Sequence, residues 1–190
     1  MESAAESRVR ILIVIAAPDE NQVPAQLEGH WAIKLATEEH CELPWTIRVV
    51  LFSTESPLAD GRLGGKLSHS PAIQAPIVTS HGWELVPLLD DSDIIHICRP
   101  YTQAGEIAVL GARLLGKHLS ASELSVRTSE LGRSLGLMEL VDVVVCNSEE
   151  ELVEASWHRA VERVDLYGDD WCSRVTDVFS RLVAESGHAP

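Results

Sequence analysis

The run VRILIVIAA, residues 9–17, constrains the fold more than any other stretch of the chain. After Arg10 it is a near-continuous series of apolar, mostly branched side chains, closed by Pro18. A strand with one wet face alternates apolar and polar residues, so a run of this kind belongs to a central strand covered on both faces. Three more apolar runs follow: TIRVVLFS (46–53), DIIHICRP (93–100, stopped by Pro100) and VDVVVCNS (141–148); a shorter strand, HLSAS, occupies 118–122. Between them lie stretches of helical length. Leu27, Trp31 and Leu35, with Ala32 and Ala36 beside them, draw one apolar stripe within 22–40. A short helix is predicted at GWELVPLLDD (82–91). Another spans TQAGEIAVLGARLLG (102–116), with Ile107, Leu110, Leu114 and Leu115 on one side and Gly116 as its cap. A further short helix is expected around 133–140, and Ser148 with Glu151 forms a capping box for the helix after the last apolar run. Apolar strands alternating with helical connections require right-handed crossovers, which give an α/β fold: a single Rossmann-like domain with a mostly parallel sheet flanked by helices. That domain is expected over residues 1–165, with a closing helix in 166–190 packed on it. In that helix Trp171, Val175, Val178, Phe179, Leu182 and Val183 share one stripe.

Charge narrows the partners. The chain has 190 residues, 45% of them hydrophobic, and 29 acidic against 15 basic residues give a net charge of −14. Such a surface repels a phosphate backbone, so nucleic acid is not an expected partner. The apolar run 11–17 is too short to span a bilayer, and MESAAESRVR lacks the basic start and long apolar core of a signal peptide, which makes a soluble cytoplasmic protein the expectation. Four cysteines in no C-x-x-C pair indicate neither a disulfide framework nor a zinc site, and no metal or other cofactor is expected.

The local motifs mostly fail. GRLGGKLS (61–68) carries Asp60 and Leu67 where a phosphate loop needs glycine and a hydroxyl, and it lies in a Ser-, Pro- and Gly-rich segment, 54–76, without periodicity. The first strand ends AAPDENQVP, without the glycines that cradle a dinucleotide. None of the eight histidines has metal-ligand spacing, and His96, inside an apolar strand, reads as a structural histidine. Asp90, Asp91, Asp93 and the run Glu149 to Glu151 read as structural too, the latter favouring a helix N-terminus.

What remains is position. Open parallel sheets bind ligands beyond the carboxyl ends of their strands, which selects Pro18 to Gln22, Arg99 to Glu106, Ser122 to Arg127 and Asn147 to Glu149. Arg99, Tyr101, Thr102, Gln103 and Glu106 fall in a single strand-to-helix turn. An arginine, a phenol and an acid at a helix start can grip a sugar or phosphate; equally, a polar turn can simply cap the helix.

DSDIIHICRPYTQAGEIAVLGARLLGK, followed by SELGRSLGLMELVDVVVCNSEEEL, resembles the N-terminal, acceptor-side domain of group 1 (family 4 type) glycosyltransferases of the GT-B fold. The resemblance covers about residues 8–155 and is sharpest over 93–152, with GARLLGK and LVDVVVCNS carrying most of it. In the family, the strand after the helix ending LLGKP runs into an acid-His-Gly turn that faces the transfer cleft. Aligning on Lys117 puts Glu123 on the acid, Leu124 on the histidine and Ser125 on the glycine. The family's glycine-rich first loop is replaced by APDENQVP.

The resemblance therefore implies a cleft altered at two elements. A second, nucleotide-sugar-binding domain would be expected in such an enzyme, and residues 153–190 do not supply it. By resemblance, YGDDWCSRVTDVFSRLV is the helix that closes back onto the N-terminal domain. The expectation is a glycosyltransferase-like protein without its donor domain: a non-catalytic binding or accessory subunit, inactive as an isolated chain. Its expected ligand contacts are Arg99, Tyr101, Thr102, Glu106 and Glu123. A protein partner or self-association is expected through a rim made by 21–24, 99–101 and 124–126, with Leu124 and Val126 at the interface, and a sugar or glycan acceptor is the expected ligand. Two alternatives stand beside it: the acceptor-binding half of a split glycosyltransferase, and a small-molecule-binding Rossmann-like protein unrelated to glycans.

Overall fold

The computed structural model describes residues 9–16, 29–37, 45–52, 77–79, 82–126, 131 and 136–187. Seven strands form one all-parallel sheet: β1 (Arg10–Ala16), β2 (Thr46–Phe52), β3 (Ile77–Thr79), β4 (Ile94–Cys98), β5 (His118–Ser122), β6 (Val143–Cys146) and β7 (Val161–Arg163). Their order is β3-β2-β1-β4-β5-β6-β7. Five α-helices are described with them: α1 (Trp31–Thr37), α2 (Gly82–Asp90), α3 (Gln103–Leu114), α4 (Glu149–Glu154) and α5 (Trp171–Glu185), besides a 3-10 turn at Leu137–Leu140. This is an α/β Rossmann-like domain. The chain winds outward from β1 through β2 to β3, then returns to lay β4 on the other side of β1, so the topological switch lies between β1 and β4.

β1 is central because both of its faces are dry. Ile11 through Ile15 are each at most 1% exposed, and burial of each such side chain contributes about 1.5–3 kcal/mol. Ile11, Ile13 and Ile15 face a core closed by α1 and α5, while Leu12, Val14 and Ala16 face a second core beneath α2 and α3. The stripe Trp171, Val175, Val178, Phe179, Leu182 and Val183 of α5 is buried throughout. Trp171 meets Trp31 edge-on at 6.4 Å, and Phe179 meets Trp45 in the same manner at 6.3 Å.

Helix α3 faces the opposite way from its large side chains. Ile107, Leu110 and Leu114 are 38%, 43% and 88% exposed, whereas Ala104, Ala108, Val109 and Ala112 are buried. Small residues let the helix lie close against the sheet, and that closeness outweighs the area a leucine stripe would bury. Gly105 shows how tight the approach is: a Cβ there would lie 2.2 Å from the Arg99 carbonyl oxygen. Thr102 caps the helix, its Oγ1 accepting from the Gly105 N–H at 3.0 Å.

Other expectations need revision. Strands β3 and β7, three residues each, were not anticipated. Cys172 is disulfide-bonded, contrary to the reading of the cysteines, while Cys98 and Cys146 are free and buried. The AAPDENQVP loop beyond Ala16, the segment 54–76 with GRLGGKLS, and the rim residues 21–24 lie outside the described residues. Among the described residues no helix is long and apolar enough to cross a membrane.

Candidate functional site

Strands β4 and β5 run side by side and end level, Cys98 opposite Ser122. The residue after each, Arg99 and Glu123, has φ of 64° and 59°; no other non-glycine residue among those described takes a positive φ. The left-handed backbone turns both side chains toward each other. Arg99 Nε donates to Glu123 Oε2 at 2.8 Å, and both side chains are 11% exposed. The other carboxylate oxygen faces residues from the start of α1: Trp31 Nε1 donates to Oε1 at 3.2 Å, and His30 Nε2 lies 2.9 Å from it. That His30 contact helps hold the carboxylate in its ionised form. The other ring nitrogen, Nδ1, accepts from the Ala32 N–H at 3.2 Å, and the His30 carbonyl accepts from Ile33 and Lys34, so the ring sits in the turn that starts α1.

Beneath this cluster lies a polar row on the same face of the sheet. His96 bridges Ser120 through Nδ1 and Ser122 through Nε2, both at 2.8 Å, and Ser122 donates onward to Cys98 Sγ at 3.8 Å. One polarity satisfies all three contacts: Ser120 O–H to Nδ1, Nε2–H to Ser122, Ser122 O–H to sulfur. The imidazole lies between Trp31 and Phe179, with ring centroids 5.1 and 5.7 Å away.

Burial decides the protonation states. It lowers His96 to about 3, against the opposing pull of the Glu123 charge, so the ring is neutral across the physiological range. Burial pushes the Cys98 thiol well up, reinforced by Glu123, so by itself this cysteine is no nucleophile. For Glu123, burial alone would raise the carboxyl, but His30 and Arg99 together outweigh it and hold it at about 2. The Tyr167 phenol, half exposed, is raised by burial and then by the Glu123 charge, which places it within electrostatic reach of the cluster. An ionised, fully engaged carboxylate and a neutral imidazole make a poor proton relay at neutral pH.

Of the sequence-selected contacts, Arg99 and Glu123 are thus brought together. Tyr101 is 3% exposed and packs in the core under α2 and α3, Thr102 is the cap of α3, and Glu106 is 6% exposed along that helix. Leu124 is 1% exposed in that same core, so it does not stand on an exposed rim; Val126 is half-buried. The turn carrying Leu124 is fastened from behind by Glu151, whose Oε1 accepts from the backbone and hydroxyl of Ser125, both at 3.1 Å, and whose Oε2 accepts from the Asn147 N–H at 2.8 Å. This buried carboxylate joins two strand ends, more than the helix cap expected of it.

Sequence reasoning missed His30, Trp31 as a polar partner, and Cys98. A buried tryptophan needs an acceptor for its N–H, so Trp31 on an apolar stripe already called for one. No family model and no curated protein sequence matches the chain.

Proposed function

We propose that these 190 residues act as a glycosyltransferase-like binding or accessory unit of the acceptor-side type, and do not transfer sugar by themselves. The observation that carries this reading is the use made of Glu123. At the position where the resemblance places the acid of an acid-His-Gly turn, the carboxylate is spent on Arg99, Trp31 and His30 and is left 8% exposed. The next residue, in the histidine's place, is a leucine in the core. A carboxylate committed to three neighbours is rigid scaffolding for the cleft wall, not a group free to follow a reacting hydroxyl. The strand order, with its switch between β1 and β4, supports the same reading, since the cluster lies beside the crevice where such sheets receive ligands.

Incubation of the purified chain with a panel of nucleotide-sugars, with and without simple glycan acceptors, tests the proposal. Neither hydrolysis nor transfer is expected, because positioning a donor against an acceptor supplies much of the catalysis. Turnover above a mock-purified control that disappears in Glu123→Gln refutes it and returns the split-enzyme alternative. Saturable glycan binding without turnover supports it.

A further inference from the structure

We infer that His30, Cys98 and Glu123 form a binding site for a divalent transition-metal ion of the zinc class at the carboxyl ends of β4 and β5. The three residues are buried, and one ligand atom from each lies within 4.8 Å of the other two. Imidazole nitrogen, thiolate sulfur and carboxylate oxygen is a donor set that suits Zn²⁺, with bonds of about 2.0–2.3 Å that place tetrahedral ligand atoms roughly 3.4–3.6 Å apart. The existing spacing, within 4.8 Å, is close to that of ligands around an ion.

A second observation comes from His30, which is 3% exposed and whose Nε2 faces the Glu123 carboxylate at 2.9 Å. Two of the three donor atoms, His30 Nε2 and Glu123 Oε1, therefore already face each other in a buried site, with the Cys98 sulfur close by. An ion between Nε2, Oε1 and Cys98 Sγ replaces the direct contact of nitrogen and carboxylate with a bond to each. The surroundings fit. Arg99 holds Oε2 and Trp31 donates to Oε1, fixing the carboxylate from outside in the way that ligating carboxylates are usually held. A carboxylate and a thiolate supply two negative ligands to the ion, and three protein ligands leave a fourth position for water or an exogenous ligand.

The exchange balances as follows. The ion displaces the Cys98 thiol proton, which leaves to solvent, so the exchange of one ion for one proton adds one net positive charge to a cluster in which Glu123 already faces Arg99. The His30 ring proton moves from Nε2 to Nδ1, which sacrifices the 3.2 Å contact from Ala32 N–H. One weak contact is lost and three metal–ligand bonds form. This site is independent of the glycan-related reading, since the same ligands bind an ion whether or not the chain handles sugars.

The test uses the full chain, freed of metal with a chelator and titrated with Co²⁺, then with Zn²⁺ in competition. A thiolate-to-cobalt charge-transfer band saturating at one ion per chain is expected, with one proton released per ion. The band should vanish in Cys98→Ser and persist in Cys146→Ser, and Zn²⁺ affinity should fall in Cys98→Ser by at least the 10–100-fold that loss of even an outer partner typically costs. Absence of the band in excess Co²⁺, or its survival in Cys98→Ser, overturns the inference. Should Cys98→Ser fail to fold, the wild-type chain decides: Zn²⁺ must raise the urea midpoint of the metal-free chain and a chelator must reverse the rise, and an unchanged midpoint overturns the inference.

Discussion

The buried imidazole of His96 makes the protein sensitive to mild acid over a window that can be stated in advance. In the folded chain this ring stays neutral down to about pH 3, whereas an unfolded histidine takes a proton near 6.5. A base whose folded pKa is depressed contributes stability that is fully present above the unfolded value and drains away as pH falls toward the folded one. One proton per molecule then costs about 1.4 kcal/mol per pH unit, so moving from about pH 6.5 to about pH 5 removes about 2 kcal/mol. The Glu123 carboxyl, lowered from 4.5 to about 2, also makes the fold acid-labile, but its contribution is present above 4.5 and lost only below that, so the two windows separate. Urea denaturation at several pH values between about 7.5 and 5 measures the slope, and His96→Gln, which keeps a hydrogen-bonding amide between Ser120 and Ser122, should flatten it by up to one proton. If the variant is too unstable, the imidazole C–H resonance of His96 in the wild type serves instead and should not move above about pH 4. A His96 resonance that titrates near 6.5, or equal slopes in the two proteins, refutes the account of a dry, neutral ring.

Other predictions follow from packing. Trp171→Ala should cost about 3–5 kcal/mol in a denaturation midpoint, because the indole is 9% exposed against Trp31; a midpoint that barely moves would mean that α5 does not close the core. Gly105→Ala should sharply lower the melting temperature, since the new methyl meets the Arg99 carbonyl oxygen at 2.2 Å. Gly111→Ala, whose Cβ meets only the movable Leu89 Cδ1 at 3.1 Å, should be far milder; equal effects would refute the close approach of α3. Leu124→Asp should unfold the chain and Leu124→Ala should cost about 2–5 kcal/mol, whereas an unchanged urea midpoint for the aspartate would put Leu124 back on a surface.

The sheet was legible where a strand is buried on both faces. The runs in β1, β2, β4 and β6 are apolar at every position that the two cores claim, and no helix pattern competes with them. Strands β3 and β7 left no trace because IVT and VER are too short to show alternation, and both lie at the edges of the sheet. Helix α3 was legible as a helix and misread in orientation: the stripe of Ile107, Leu110 and Leu114 has the right spacing for a buried face, but closeness to the sheet selected the alanines. At the candidate site, the rule about strand ends selected the stretches holding both Arg99 and Glu123, and resemblance singled out Glu123. Neither could supply Trp31, which reaches Glu123 across 92 residues of sequence, nor His30 beside it, because a pairing made by a crossover leaves no periodicity in either segment.

The two left-handed residues bear on what the cluster is for. Backbone of this kind in a residue other than glycine costs on the order of 1–3 kcal/mol at each position, and nothing in the strand ladder demands it of Arg99 or Glu123. Glycine at either place would relieve the strain and lose the side chain. The chain instead accepts the strain twice, on adjacent strands, and the result is one ion pair aimed back over the sheet toward the start of α1. As a stabilising device this is a poor exchange, since replacing a largely buried pair with apolar residues is often neutral or favourable. Stability alone therefore does not account for the arrangement. The pair does fix the orientation of a carboxylate beside a thiol and an imidazole where a parallel sheet receives its ligands, and orientation is what strain at a strand end can provide when packing cannot.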